Sequence, residues 1–226
     1  MRGAPHGMLL AVPVAAWALA AWTRGDAADT LLHTSWLLVI AAPLTGVARV
    51  SGRPAGTTGW AVIASLATSV GVAVLASALI TLLTIGGSSL GFVARSHAVM
   101  AAVSLALATF GALLATSFDE LDAAALSLVM ALVAGGGVLF AGAWAGAAPR
   151  AVVDGLLAAS PFVAMASAAN IDVLRLDLFY IISPLAHLGV DYPAWYLTGA
   201  GYAVVATLCC SGVCLGDRAP HQASAV

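Results

Sequence analysis

Charged residues are scarce in this sequence. Asp, Glu, Lys and Arg together make up 8% of its 226 residues, and all eight basic residues are arginine. Soluble domains ordinarily carry about 25% charged residues. Without lysine, the chain has neither the phosphate-binding lysine of a Walker A loop nor an amine for Schiff-base chemistry. The chain is therefore not a standard P-loop ATPase, and any ATP that drives it must be bound by another subunit.

The usual residues of metal and nucleic-acid sites are also missing. The three cysteines, Cys209, Cys210 and Cys214, all fall in the last apolar stretch, where no histidine or further cysteine completes a metal-ligand set. We interpret them as small apolar residues that pack within a helix. The net charge is −2 and there is no run of basic residues, so the sequence indicates no basic surface for binding nucleic acid. We expect no metal, no cofactor and no nucleic-acid partner.

Apolar residues are what the sequence has in abundance, at 62% of the chain with a mean hydropathy of +1.04. A soluble fold of this length could not bury so much apolar surface, whereas about 20 apolar residues in a helix cross a bilayer core. The sequence therefore predicts an all-α polytopic membrane protein, with a single transmembrane domain over residues 1–226. Its six transmembrane helices are predicted at about 4–23, 31–48, 59–85, 97–117, 123–146 and 194–215.

Six spans place both termini on the same side of the membrane. Arginine counts do not choose that side, because four arginines fall on each. Tryptophans do favour one arrangement, since a cytoplasmic N-terminus places most of them at the outer interface: Trp22, Trp36, Trp144 and Trp195. Arginine-only, alanine-rich usage is typical of GC-rich bacterial genomes. We expect a multi-pass protein of the bacterial inner membrane with both termini in the cytoplasm.

The predicted spans contain almost no ionisable residues. His33 lies near a span edge, and none falls in the middle of a span. Proton- and ion-coupled transporters usually place a charged or strongly polar side chain at mid-membrane to interact with the coupling ion. The sequence therefore favours a helical pathway that draws its energy from outside the membrane.

Two short segments carry charge on the predicted cytoplasmic side. Residues 49–58 include two arginines, and residues 117–122 read SFDELD. Ser117 could cap span five while the acids favour its positive dipole end. A rigid acidic turn could also contact a cytoplasmic partner, and both explanations can hold together. The candidate partner-coupling residues are Arg49, Arg53, Asp119, Glu120 and Asp122.

A GxSxG pattern occurs at residues 87–91 and is centred on Ser89. A serine hydrolase needs such a serine on a tight turn with a base in reach, and His97 and His187 are the available bases. No strand precedes the pattern, and Gly/Ser-rich loops such as 86–96 commonly join spans. An intramembrane serine hydrolase is a remote alternative, and we expect no enzymatic activity from the chain itself.

The stretch 147–193 is the only long connection between predicted spans. Residues 171–195 are too polar for a seventh span and too apolar for a free loop, and Pro184 and Pro193 break them. Non-helical backbone at membrane depth is tolerated only when it is buried in protein or lines a cavity. We therefore predict a re-entrant or interfacial helical hairpin over about 150–193. Candidate functional residues of this segment are Pro161, Asp172, Arg175, Asp177 and Pro184.

Residues 117–197 resemble the permease subunits of type-2 ATP-binding-cassette exporters. The resemblance rests on the apolar run 123–142, the SPF turn at 160–162, the mid-loop Asp–Arg segment and the SPL turn at 183–185. It implies six spans, a re-entrant hairpin between spans five and six, and a dimer with a second permease copy or a homologous permease. It also implies separate P-loop ATPase subunits, with substrate passing along the dimer interface. The re-entrant segment, with its candidate residues Pro161, Asp172, Arg175, Asp177 and Pro184, would then form the outer gate.

A second hypothesis is a non-transporting membrane subunit that scaffolds a larger complex. Such permeases usually carry an Arg- and Glu-rich segment after span two that docks on the ATPase. The corresponding stretch here, 48–60, has two arginines but no glutamate. The sequence does not choose a substrate, because apolar spans suit lipids, drugs, glycans and haem-like molecules equally.

Overall fold

The computed structural model describes residues 27–85, 90–141, 148–170 and 192–216. Within these ranges the regular structure is entirely α-helical, with seven helices. They are α1 (Ala27–Ser51), α2 (Gly59–Ile85), α3 (Leu90–Leu114), α4 (Glu120–Ala141), α5 (Arg150–Ala159), α6 (Pro161–Ala169) and α7 (Trp195–Gly216).

Five of these helices, α1, α2, α3, α4 and α7, are long and apolar enough to cross a membrane. They agree with an all-α polytopic membrane protein. The spans predicted at 59–85 and 194–215 match α2 and α7 to within one residue, and the others shift by a few residues at their ends. The predicted span at 4–23 lies outside the described residues.

The start of α3 corrects the prediction for residues 86–96. That stretch was expected to be a linker, with a span beginning at 97, but the helix begins at Leu90. Phe92 packs against the hydrophobic core and Val93 is buried, so tertiary packing holds this first turn helical despite its glycine and serine content. His97 consequently lies inside the helix rather than at its edge.

Helix α3 is the centre of the bundle. It packs against α1, α2, α4, α6 and α7. Of the residues in its candidate span 61% are buried, compared with 17% for α7, which lies at the periphery. Helices α2, α4 and α7 leave large apolar side chains exposed, as helices in contact with lipid do.

Two glycines allow α1 and α3 to cross with their backbones in contact. A Cβ added to Gly46 would collide with the carbonyl of Ala108, and one added to Gly111 would collide with the carbonyl of Pro43. Pro43 lies inside α1 and provides no N–H of its own. Small residues at a crossing let transmembrane helices approach closely, which increases dispersion contact where lipid removes the hydrophobic driving force.

Helix α7 runs parallel to α3. A Cβ at Gly199 would lie 3.8 Å from the Val99 side chain, and one at Gly216 would lie 3.8 Å from Thr116. Because the start of α7 faces the first half of α3 and the two C-terminal ends face each other, both helices run in the same direction. Short turns reverse the chain between α1 and α2 and between α3 and α4. One end of the bundle, called here the arginine end, therefore carries residues 52–58, residues 115–119 and the C-terminus of α7.

Candidate functional site

Helix α5 is amphipathic. Arg150 donates from Nε to Asp154 Oδ1 at 3.0 Å on the exposed face, one helical turn apart. Val153 and Leu157 are buried on the other face. A short helix with charges on one side and apolar anchors on the other fits the boundary between the bundle and its surroundings.

Helix α6 has the opposite character. Eight of its nine residues are buried, and it begins at Pro161 with Ser160 as its N-cap. The Ser160 hydroxyl accepts from the Val163 N–H at 3.5 Å, and proline at the first helical position has no N–H to satisfy. The chain thus breaks at Pro161, where the sequence predicted a break, and α5 and α6 are bent by 76° relative to each other.

Phe162 anchors α6 in the bundle. Its ring stacks on Trp36 of α1, with ring centroids 4.0 Å apart and planes inclined by 29°. On α4, Gly135 makes room for this ring, because a Cβ there would lie 2.8 Å from Phe162 Cε2. The SPF turn at 160–162 did not by itself indicate a role for Phe162. A bulky apolar residue directly after a break was the available signal.

Two hydrogen bonds fix the bent pair against α7. The Tyr202 hydroxyl donates to the carbonyl of Ala159 at 2.6 Å, and the Ser167 hydroxyl donates to the carbonyl of Pro193 at 2.8 Å. Pro193 immediately precedes α7, whereas Tyr202 lies seven residues into it, or about 10 Å at 1.5 Å per residue. The bend between α5 and α6 therefore lies further from the start of α7 than the C-terminal part of α6 does.

The predicted coupling residues share the arginine end of the bundle. Asp119, Glu120 and Asp122 are exposed, while Arg49 and Arg53 are half-buried. The cap of α4 is Asp119, whose Oδ1 accepts from the Asp122 N–H at 3.0 Å. Ser117, predicted as the cap, instead ends the preceding turn, where its N–H donates to Leu114. A carboxylate cap suits the positive end of the helix dipole better than a hydroxyl does.

A buried polar pair joins α2 to α3. His97 and Ser77 are 5% and 2% exposed, and His97 Nε2 lies 3.1 Å from Ser77 Oγ. His97 Nδ1 lies 2.8 Å from the carbonyl of Val93, which can only accept. Nδ1 therefore carries a proton and donates to Val93, while the Ser77 hydroxyl, which can donate or accept, contacts Nε2. No sequence signal distinguished Ser77 from the other serines of the spans.

This pair changes one conclusion drawn from the sequence. His97 is the eighth residue of α3, about 10 Å along the helix, so an ionisable side chain does lie inside a described span. Its ring contacts the hydroxyls of Ser77 and Ser96 and the backbone carbonyl of Val93. Both residues are buried, and the Ser77–His97 pair forms a polar contact between α2 and α3.

Several predicted features lie outside the described residues. They are Asp172, Arg175, Asp177, Pro184, Ser89 and His187. In the part of the chain that is described, no group of three or more His, Cys, Asp or Glu residues could hold a metal ion. The three cysteines are unpaired thiols in α7, and Cys210 and Cys214 pack against the core.

Comparison with known protein families, with curated proteins and with solved structures finds no match for this chain.

Proposed function

We propose that this chain is the membrane-spanning subunit of an ATP-driven exporter of the bacterial inner membrane. Separate ATPase subunits would bind its cytoplasmic face, and two permease copies would enclose the substrate path. The observation that carries the proposal is the bent pair α5–α6, which lies between the last two described spans. The permeases that residues 117–197 resemble carry a re-entrant hairpin at this place.

The dimensions of the pair support re-entry into the membrane. Helix α5 has ten residues and α6 has nine, so each is about 15 Å long or less, half of a bilayer core. Ser167 contacts Pro193 at the start of α7, while Ala159 contacts Tyr202 deeper along that helix. We infer that the pair enters and leaves at the same end, with Pro161 at its deepest point.

The charge distribution supports an ATPase contact at the arginine end. Exposed acids at Asp119, Glu120 and Asp122 lie at the same end as Arg49 and Arg53, and the bent pair lies toward the other. A soluble ATPase needs polar contacts on a membrane subunit, and paired charges of both signs give orientation as well as affinity. We assign the arginine end to the cytoplasm, which places the termini of a six-span chain there too.

Co-purification tests the proposal directly. The tagged full chain is expressed in bacteria with its flanking genes and is purified in mild detergent, and its partners are identified by mass spectrometry. We expect a P-loop ATPase subunit in equal stoichiometry and ATP hydrolysis in reconstituted vesicles. Arg53→Ala and a Glu120→Ala/Asp122→Ala double variant should lower that hydrolysis severalfold, because they remove contacts at the docking surface.

Arg95→Ala is the matched control, because Arg95 lies near the start of α3, at the end away from Arg53, and its Nε donates to Gly91 in its own helix. It should leave ATP hydrolysis unchanged. Purification with partners that are not ATPases, together with normal transport after Arg53→Ala, would contradict the exporter and favour the scaffold role. The two-arginine, glutamate-free segment 48–60 is the feature that favours that second role.

A further inference from the structure

An apolar cleft of about 500 Å³ opens between the C-terminal end of α5 and the first half of α7. Ala158 and Ala159 form one wall, and α7 supplies Leu197, Gly201 and Val205 at four-residue intervals along one face. Gly201 deepens the groove, because a Cβ there would meet no atom within 4 Å. The cleft is therefore a narrow apolar channel that runs along the helix and is open at its side.

One buried hydroxyl in the cleft wall has no hydrogen-bond partner. Thr198 lines the cleft and is 6% exposed, and its Oγ1 is buried and unpaired. Other hydroxyls in α7 donate to the carbonyl four residues earlier, as Thr207 donates to Ala203 at 2.9 Å. The carbonyl four residues before Thr198, that of Ala194, instead accepts from the Leu197 N–H at 2.9 Å. An unsatisfied hydroxyl in an apolar site costs free energy that a ligand oxygen would recover.

The depth of this hydroxyl indicates which ligand oxygen would meet it. Trp195 and Tyr196 begin α7 and pack edge to face, and paired aromatics of this kind mark the membrane interface. Thr198 lies about 4.5 Å deeper, at 1.5 Å per residue. That depth, just below the headgroups, is where the ester carbonyls of a phospholipid lie, and the apolar channel continues inward from there.

We propose that this cleft binds one acyl chain of a bilayer phospholipid. The chain lies along Leu197, Gly201 and Val205, and its ester carbonyl accepts a hydrogen bond from the Thr198 hydroxyl. The hydroxyl reaches the carbonyl by turning from one staggered rotamer to another. Tyr202, which donates to Ala159, holds α5 against α7 and so keeps the channel at a fixed width. The site does not depend on an ATPase partner.

Photo-crosslinking in vesicles tests the site. The full chain is reconstituted in phosphatidylethanolamine and phosphatidylglycerol with a trace of phospholipid that carries a diazirine in one acyl chain. Adducts are mapped by peptide mass spectrometry. We expect them to concentrate at residues 197–205 and 158–159. Gly201→Leu places a side chain in the groove, its Cβ meets no atom within 4 Å, and it should lower the adducts about tenfold.

Gly71→Leu is the control, because Gly71 is an exposed glycine of α2 whose added Cβ would also meet nothing within 4 Å. It should leave the adducts at α7 unchanged. Adducts spread evenly over the exposed faces of α2, α4 and α7, or unaffected by Gly201→Leu, would overturn the proposal.

The hydrogen bond has a separate test in paired ester- and ether-linked lipid probes. Thr198→Val keeps the shape of the side chain and should lower labelling by the ester probe about fivefold. It should leave labelling by the ether probe unchanged, since that lipid has no carbonyl at this position. Equal effects on both probes, or displacement of the probe by free fatty acid but not by unlabelled phospholipid, would overturn the assignment. Thermal unfolding of each variant confirms that its fold is intact.

Discussion

Phe162 stacks on Trp36 with ring centroids 4.0 Å apart, and this contact joins the bent pair to the first described span. Phe162 is buried, and Trp36 packs against the same hydrophobic core. The stacking connects α6 to α1, so its removal should lower the stability of the whole bundle.

Phe162→Ala should lower the free energy of unfolding by about 3 kcal/mol, because it removes the ring and leaves a cavity among α1, α4 and α6. Titration with SDS in mixed micelles, followed by circular dichroism, measures this change. Phe118→Ala is the control, since Phe118 is half exposed in the turn between α3 and α4. Equal losses from the two substitutions would show that Phe162 is not an anchor.

Gly135→Ala should destabilise the protein because its methyl group would lie 2.8 Å from Phe162 Cε2. The neighbouring ring is buried and has little room to move, so we expect a loss of about 1–3 kcal/mol. Combining it with Phe162→Leu should cost less than the sum of the two single changes, by at least about 0.5 kcal/mol. Simple additivity in the same SDS titration would indicate that the two positions do not contact.

Gly111→Ala should separate α1 from α3, because the added methyl group would meet the backbone carbonyl of Pro43, which cannot move aside as a flexible side chain can. We expect a loss of several kcal/mol or failure to fold, seen as loss of the monodisperse peak in size-exclusion chromatography. Gly71→Ala is the matched change on α2, where the methyl group meets open space. A folded Gly111→Ala variant with normal stability would disprove the close crossing.

Ser77→Ala should leave His97 Nε2 without the Ser77 hydroxyl inside the bundle, at a cost of about 1–2 kcal/mol. The nitrogen-15 shifts of the His97 ring should show a proton on Nδ1, and the Nε2 shift should move in the variant. Ser211→Ala is the control, because Ser211 is exposed and bonds only to Thr207 in its own helix. A wild-type ring without a proton on Nδ1, or an Nε2 shift that does not change in the variant, would refute the assigned contacts.

The positions of most helices could be predicted from the sequence, but the contacts between them could not. The limits of α2 and α7 followed from apolar length alone, and the break at Pro161 followed from proline chemistry. The start of α3 did not, because Gly91 and the serines before it indicate a loop while Phe92 and Val93 pack into the core. The cap of α4 was assigned to Ser117 instead of Asp119, since both residue types favour that position.

Composition by itself determined that this chain is a helical membrane protein, because so much apolar surface is stable only in lipid. Only the tertiary structure decided that α3 is central, that Gly46 and Gly111 mark a helix crossing, and that His97 meets Ser77. The physical reason is that lipid is as apolar as a protein interior, so the inner face of a span has no hydrophobic periodicity to reveal it.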